Sequence, residues 1–64
     1  MKEVFFKNGP AAGQSERFLD DTDYILVRND AQPFLPTLYR VIGADAWTED
    51  NVMAWRMPAP EVSV

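Results

Sequence analysis

A chain of 64 residues without a single cysteine must hold its fold together by packing. Domains of this size lie near the lower limit of independent folding, and most small domains add disulfides, a bound metal or a partner chain. Disulfides require cysteine, and histidine, the commonest metal ligand, is also missing. We therefore expect either an unusually dense core or burial of one surface against another chain.

The missing residue types also narrow the chemistry that the chain can perform. Without histidine or cysteine there is no side chain that titrates near neutrality and no thiolate nucleophile, so Ser15 and Ser63 have no histidine to activate them. Paired carboxylates need a substrate cleft of about 300 Å³ or more, which a domain this small rarely encloses. We expect no enzyme and no cofactor, and we predict a small binding module.

The charge of the chain indicates what it does not bind. Ten Asp and Glu residues outnumber six Lys and Arg residues, which gives a net charge of −4. Direct nucleic-acid binding favours a basic face, so we expect no direct nucleic-acid partner. No stretch approaches the ~18 apolar residues of a membrane span, and charge interrupts the N-terminal segment too early for a signal peptide. We expect a cytoplasmic protein without membrane contact.

Alternating hydrophobicity and turn signals predict a small β-rich α+β fold. We expect one domain over residues 1–64, with a three- to four-stranded antiparallel sheet and at most one short helix. The predicted strands cover residues 3–7, 23–29, 37–43 and 51–57, and residues 58–64 form an extended tail. The strongest strand begins at Tyr24. Both of its alternating sets are largely apolar, which predicts a central strand with both faces at least partly covered.

Three segments are less clear from local signals. Residues 15–19 favour a single helical turn with Ser15 as its N-cap, and a loop is predicted from residue 29 to residue 36. Residues 52–57 fit a helix that follows an acidic N-terminus, or a strand with Met53 and Trp55 on one face. Local propensity slightly favours the helix.

The most specific motif is the spacing of Trp55, Pro58 and Pro60 in the C-terminal segment. With Ile25-Leu26-Val27, Tyr39 and Trp47, it makes residues 21–60 resemble a family of small domains of unknown function from bacteriophages and prophages. Ala54 stands where the family usually has histidine, Ala59 falls between the prolines, and the family's N-terminal tryptophan motif is absent. The resemblance implies a phage origin and a last strand at 51–57, and it implies no activity and no functional residues.

Acidic residues in two predicted loops are candidate partner contacts, and they are Asp20, Asp21, Asp23, Asp45, Glu49 and Asp50. If the strands are antiparallel neighbours, both loops can lie at one end of the sheet. Such a surface fits a basic groove on a partner protein, either by ordinary charge pairing or by imitating a row of nucleic-acid phosphates. The Asp-x-Asp spacing is too common to indicate a metal site, and a solvated turn explains the same charges.

An apolar loop is the second candidate surface. Phe34 and Leu35 lie between two prolines, and exposed aromatic residues often dominate binding interfaces. Burial of the pair in the core is an equal alternative. Tyr24, Tyr39 and Trp55 are expected in the core, and Trp47 is a further candidate contact.

These features together predict a phage-encoded, non-catalytic protein that inhibits or modulates a host protein, for example a bacterial defence component such as a CRISPR complex. The predicted partner-binding residues are Asp20, Asp21, Asp23, Phe34, Leu35, Asp45, Trp47, Glu49 and Asp50. The first alternative is a structural subunit of a phage or prophage that folds by self-association, with a homodimer as the simplest case. The second alternative is a nucleic-acid mimic.

Overall fold

The domain is β-rich and has almost no helix, as the sequence predicts. The computed structural model describes residues 1–29 and 32–64, and it describes the side chains of residues 1–29 and 36–64. The elements are β1 (Lys2–Phe6), β2 (Ser15–Phe18), β3 (Tyr24–Asn29), β4 (Gln32–Ile42), β5 (Asp45–Thr48), a 3-10 helix (Val52–Arg56) and β6 (Glu61–Ser63). Within the described residues, no helix has the length and apolar character to cross a bilayer.

The strands form one curled sheet, a half-barrel with the order β2-β1-β5-β4-β3-β6. The prediction of three or four antiparallel strands is wrong, because the sheet has six strands and two parallel pairings, β1 with β5 and β3 with β6. β2, β5 and β6 are three or four residues long, too short for alternation to reveal them. Parallel neighbours are distant in sequence, so no hairpin turn announces them.

The inner side of the curled sheet holds the core. Alternation along β1 and β3 turns Val4, Phe6, Ile25 and Val27 to this side, where none is more than 3% exposed. Tyr39 of β4 is fully buried beside them, as expected, and its ring centroid lies 4.9 Å from that of Phe6 in an edge-on arrangement. These side chains form the hydrophobic core of the domain, which has no disulfide to add to its stability.

The prediction for β3 is confirmed on both of its faces. Ile25 and Val27 are fully buried on the inner face. On the outer face Leu26 is half-buried and lies opposite Leu38, which is itself only 1% exposed. Tyr24 is half-buried on the outer face and is not part of the core, so its expected place in the core is wrong.

Residues 15–18 form a strand, so the predicted helical turn is wrong and Ser15 is not an N-cap. β2 pairs with β1, with Ser15 opposite Phe5 and Phe18 opposite Lys2. Local propensity in this polar segment is weak. Pairing with β1 and the burial of Phe18 therefore decide its conformation.

The predicted loop over residues 29–36 is also wrong in its second half, because β4 already begins at Gln32. Pro33 and Pro36 therefore lie within a strand, although proline cannot donate to the hydrogen-bond ladder. The pairing of β3 with β4 is irregular after Val27, and β5 pairs with β4 at Tyr39 and beyond, past both prolines. Irregular and edge positions are those where strands tolerate proline.

Residues 52–56 form a helix, so the strand that the resemblance favoured at 51–57 is wrong. The local signals are correct here, because the Asn51 side chain caps the helix and accepts a hydrogen bond from the Met53 amide at 3.0 Å. Ala54 is the buried residue of this helix. Trp55 is 40% exposed, so its expected place in the core is wrong as well.

Tyr39 ties the loop that follows β1 to the middle of the sheet. Its hydroxyl donates to the Asn8 carbonyl at 2.6 Å and accepts from the Ala11 amide at 3.1 Å. The Asn8 side chain makes two further hydrogen bonds with Thr48, of 3.0 and 2.9 Å. Burial raises the pKa of the Tyr39 phenol, and the hydrogen bond from Ala11 opposes that rise only in part. We call this region, formed by Asn8, Ala11, Tyr39 and Thr48, the Tyr39 corner. Its polar groups hydrogen-bond to one another.

Candidate protein-binding groove

Two segments flank the start of β3 and form the walls of a groove. One wall is the turn that connects β2 to β3, in which the Thr22 amide donates to the Leu19 carbonyl at 3.1 Å. The other wall is residues 57–60, which run from the 3-10 helix to β6. The Leu26 amide donates to the Pro60 carbonyl at 2.9 Å and fixes this segment beside β3.

The space between the walls is an open groove of about 380 Å³, which we call the tail groove. It is lined by Leu19, Asp21, Thr22, Asp23, Tyr24, Met57, Pro58, Ala59 and Pro60. A second depression of about 450 Å³ shares Asp23, Tyr24 and Met57 with it, and extends over Arg40, Val41 and Ile42. Because they share three lining residues, the two depressions form one continuous surface.

The apolar side chains around this surface are exposed. Leu19 is 65% exposed, Met57 is 50% exposed and Ile42 is 60% exposed. Single exposed apolar residues are common in soluble domains, whereas a group of them around a depression is typical of an interaction surface.

The charges at the tail groove are acidic, and none of the described residues pairs with them as a cation. Three of the predicted carboxylates do have a cationic partner, and these pairs are Asp20 with the Met1 amine at 3.4 Å, Asp45 with Lys7 at 4.0 Å and Glu49 with Arg40 at 3.9 Å. None of the ion pairs among the described residues includes Asp21 or Asp23. Across the same residues, no three carboxylates converge as metal ligands. The groove therefore offers apolar walls and two available negative charges.

The structure brings only some of the six predicted carboxylates together. The Asp23 carbonyl accepts a backbone hydrogen bond from β4 at 2.7 Å, and β4 pairs with the start of β5. Asp45 therefore lies two strands across from the acidic turn. Glu49 and Asp50 follow the other end of β5, so the expectation of a shared end of the sheet is wrong for these two. A continuous row of charges, as nucleic-acid mimicry requires, is not what these six residues form.

Trp47 is 44% exposed on the outer face, where it lies opposite Arg40 in the neighbouring strand. Arg40 in turn lies opposite Tyr24, so the three residues form a row across the sheet towards the tail groove. The side chains of Phe34 and Leu35 lie outside the described residues. Their role as an apolar anchor therefore stays a prediction.

Sequence reasoning does not single out Leu19, Ile42 or Met57 as candidate contacts. A shared signal was nevertheless present, because each is a large apolar residue next to a turn-forming or helix-breaking residue: Asp20, Gly43 or Pro58. Apolar residues at such positions lie where elements end, and the ends of elements are the parts of a small sheet that its own core covers least.

Comparison of the chain with protein-family models, with curated proteins and with solved structures found no match. The resemblance of residues 21–60 to phage domains therefore stays a prediction. The assignment of the tail groove as the candidate site depends on its geometry, exposure and charge.

Proposed function

We propose that this protein is a non-catalytic binding module that inhibits or modulates a larger protein, which it contacts through the tail groove. The observation that carries the proposal is the combination of exposed apolar walls, Leu19 and Met57, with Asp21 and Asp23, which form no ion pair with any described residue. Covering apolar surface contributes about 25 cal/mol per Å², which favours a partner that fills the groove. The carboxylates steer a basic partner and set its orientation.

We further propose that the protein is phage-encoded and that its partner is a host protein, for example a component of a defence system such as a CRISPR complex. Two features support this part of the proposal. They are the resemblance of residues 21–60 to small phage domains and the net charge of −4, which favours a basic surface on the partner.

Self-association in a structural role is the second candidate, because the outer face of the sheet exposes further apolar side chains. Phe5 is 43% exposed and Trp47 is 44% exposed there, with Ile42 at 60% on the same face. A second copy of the chain that covers this face would form a homodimer or a larger assembly.

Light scattering and affinity capture from a bacterial lysate together separate the two candidates. The proposed function predicts a monomer that captures a stoichiometric partner, whereas the structural role predicts a stable oligomer that captures none. The decisive bait is the double variant Leu19→Ser with Met57→Ser, which removes the apolar walls of the groove.

The matched control is Val52→Ser with Met53→Ser, since these residues are 71% and 67% exposed on the 3-10 helix and do not line the groove. We expect the groove variant to lose the partner and the control to keep it. Capture that survives the groove variant and fails with the control places the contact elsewhere.

A further inference from the structure

We propose that the tail groove receives a cationic side chain, arginine or lysine, from an extended segment of the partner protein. This inference depends on the proposed function and specifies the chemistry of the partner that the groove recognises.

The shape and lining of the groove suit one long amphipathic side chain. Its volume of about 380 Å³ lies near the lower end of the ~300–1,000 Å³ range of ligand sites, so it suits a side chain better than a folded element. Leu19, Met57 and Pro58 provide apolar walls. Arginine and lysine combine an aliphatic stem, which packs on such walls, with a charged head that stays near water.

The charges of the groove complement such a head group. Asp21 and Asp23 are both exposed and are free of ion pairs with described residues. Arg40, the basic residue that lines the adjoining depression, is 3.9 Å from Glu49 and so pairs away from these two carboxylates. Tyr24 lines both depressions, and an aromatic face also attracts a cation.

A second copy of this chain is a poorer source of the cation than a different protein. Lys7, Arg28 and Arg40, half of the six basic residues, already lie in ion pairs with carboxylates of their own chain. A copy would also bring its own net charge of −4 towards an acidic groove. The occupant that the charges favour is therefore a basic segment from another protein.

The test uses the full chain and two capped peptides, Gly-Leu-Arg-Leu-Gly and the same sequence with neutral citrulline in place of arginine. Each peptide is titrated into labelled protein, and amide chemical shifts give both the site and the dissociation constant. We expect amide shifts at residues 19–24, at Met57 and at Ala59, and arginine binding about fivefold tighter than citrulline, as an exposed ion pair of up to about 1 kcal/mol implies. Raising the salt from 0.15 M to about 1 M should remove most of that difference.

Two double variants with the same change in charge complete the test. The variant Asp21→Asn with Asp23→Asn should bind the arginine peptide no more tightly than it binds the citrulline peptide. Glu3→Gln with Glu16→Gln, on β1 and β2 away from the groove, should leave the fivefold preference intact. Equal affinity for the two peptides, shifts in another region, or a rise in molecular mass without peptide would each overturn the inference.

The failure of this inference is distinguishable from failure of the proposed function. One outcome is that capture of the lysate partner is lost with Leu19→Ser and Met57→Ser but is unchanged by Asp21→Asn with Asp23→Asn. In that case the groove binds a partner, and the inference that it receives a cationic side chain is wrong. If neither pair of substitutions affects capture, the groove is not the contact and both proposals fail.

Discussion

The Tyr39 corner and the tail groove differ in how far their side chains are buried and in whether their polar groups have partners inside the protein. At Tyr39 the hydroxyl has both a donor and an acceptor inside the protein, and the ring is fully buried. At the groove, Leu19 and Met57 are at least half exposed, and Asp21 and Asp23 lack cationic partners among the described residues. A small domain without disulfides needs some regions in which the side chains are buried and their polar groups are hydrogen-bonded within the protein. A region whose apolar side chains are exposed and whose charges lack partners is available for binding.

The largest effect on stability is expected for Gly9→Ala. Gly9 has φ +74, and an added Cβ would overlap the Tyr39 hydroxyl and lie 2.6 Å from a methyl carbon of Thr48. The left-handed backbone and the overlap together should lower the free energy of unfolding by about 2–4 kcal/mol. Gly13→Ala is the matched control, because Gly13 has φ +85 but open space around its Cβ position, and it should lose about 1–2 kcal/mol. Urea denaturation measures both, and equal losses would mean that the Tyr39 corner is not tightly packed.

Tyr39→Phe should lower the free energy of unfolding by about 1–3 kcal/mol, because it leaves the Ala11 amide without its acceptor. Ala11 is fully buried, so water does not easily replace the lost hydrogen bond. Tyr24→Phe, in the half-buried ring at the groove, should stay within about 0.5 kcal/mol of the unchanged protein. A comparable loss in both variants would remove the contrast between the two regions.

Alkaline pH should weaken the Tyr39 corner. Burial raises the pKa of Tyr39 in the folded protein, so the folded state keeps its proton at a pH where the unfolded chain, with a pKa of about 10, has lost it. The free energy of unfolding should therefore fall as the pH rises through the unfolded pKa towards the folded one. Urea denaturation between about pH 9 and 11 should show this slope, and the slope should be shallower in Tyr39→Phe. An identical slope in both proteins would assign the effect to other groups.

The smallest effect is expected at the groove itself. Leu19→Ser and Met57→Ser should each change the free energy of unfolding by less than about 0.5 kcal/mol, because both side chains are already largely in water. A loss above about 1 kcal/mol in urea denaturation would mean that these residues support the fold. A loss of partner capture in these variants would then be explained by reduced stability and not by a lost contact.

The sequence predicts the long strands well and the short ones poorly. Runs of β-branched and aromatic residues bounded by turn formers predict β1, β3 and most of β4. β5 becomes a strand because it fills the gap between β1 and β4, and β6 because it runs along β3. Those reasons are tertiary and leave no local pattern. The same limit applies to the site: Asp21 and Asp23 are visible as an acidic turn, whereas Met57 enters the groove only because the segment that leads to β6 returns to β3.

The position of β5 has a consequence for how the molecule opens. The β1–β2 hairpin reaches the remaining strands through hydrogen bonds such as the one from the Lys7 amide to the Ala46 carbonyl at 2.9 Å, and through the Tyr39 hydroxyl. Detaching the hairpin breaks these contacts together, so its junction amides should exchange with solvent deuterium as one cooperative unit. The hydrogen bonds of the Tyr39 hydroxyl therefore help to set how often the hairpin detaches from the sheet. The frequency of this opening in turn sets how often a protease reaches the strands that the hairpin covers.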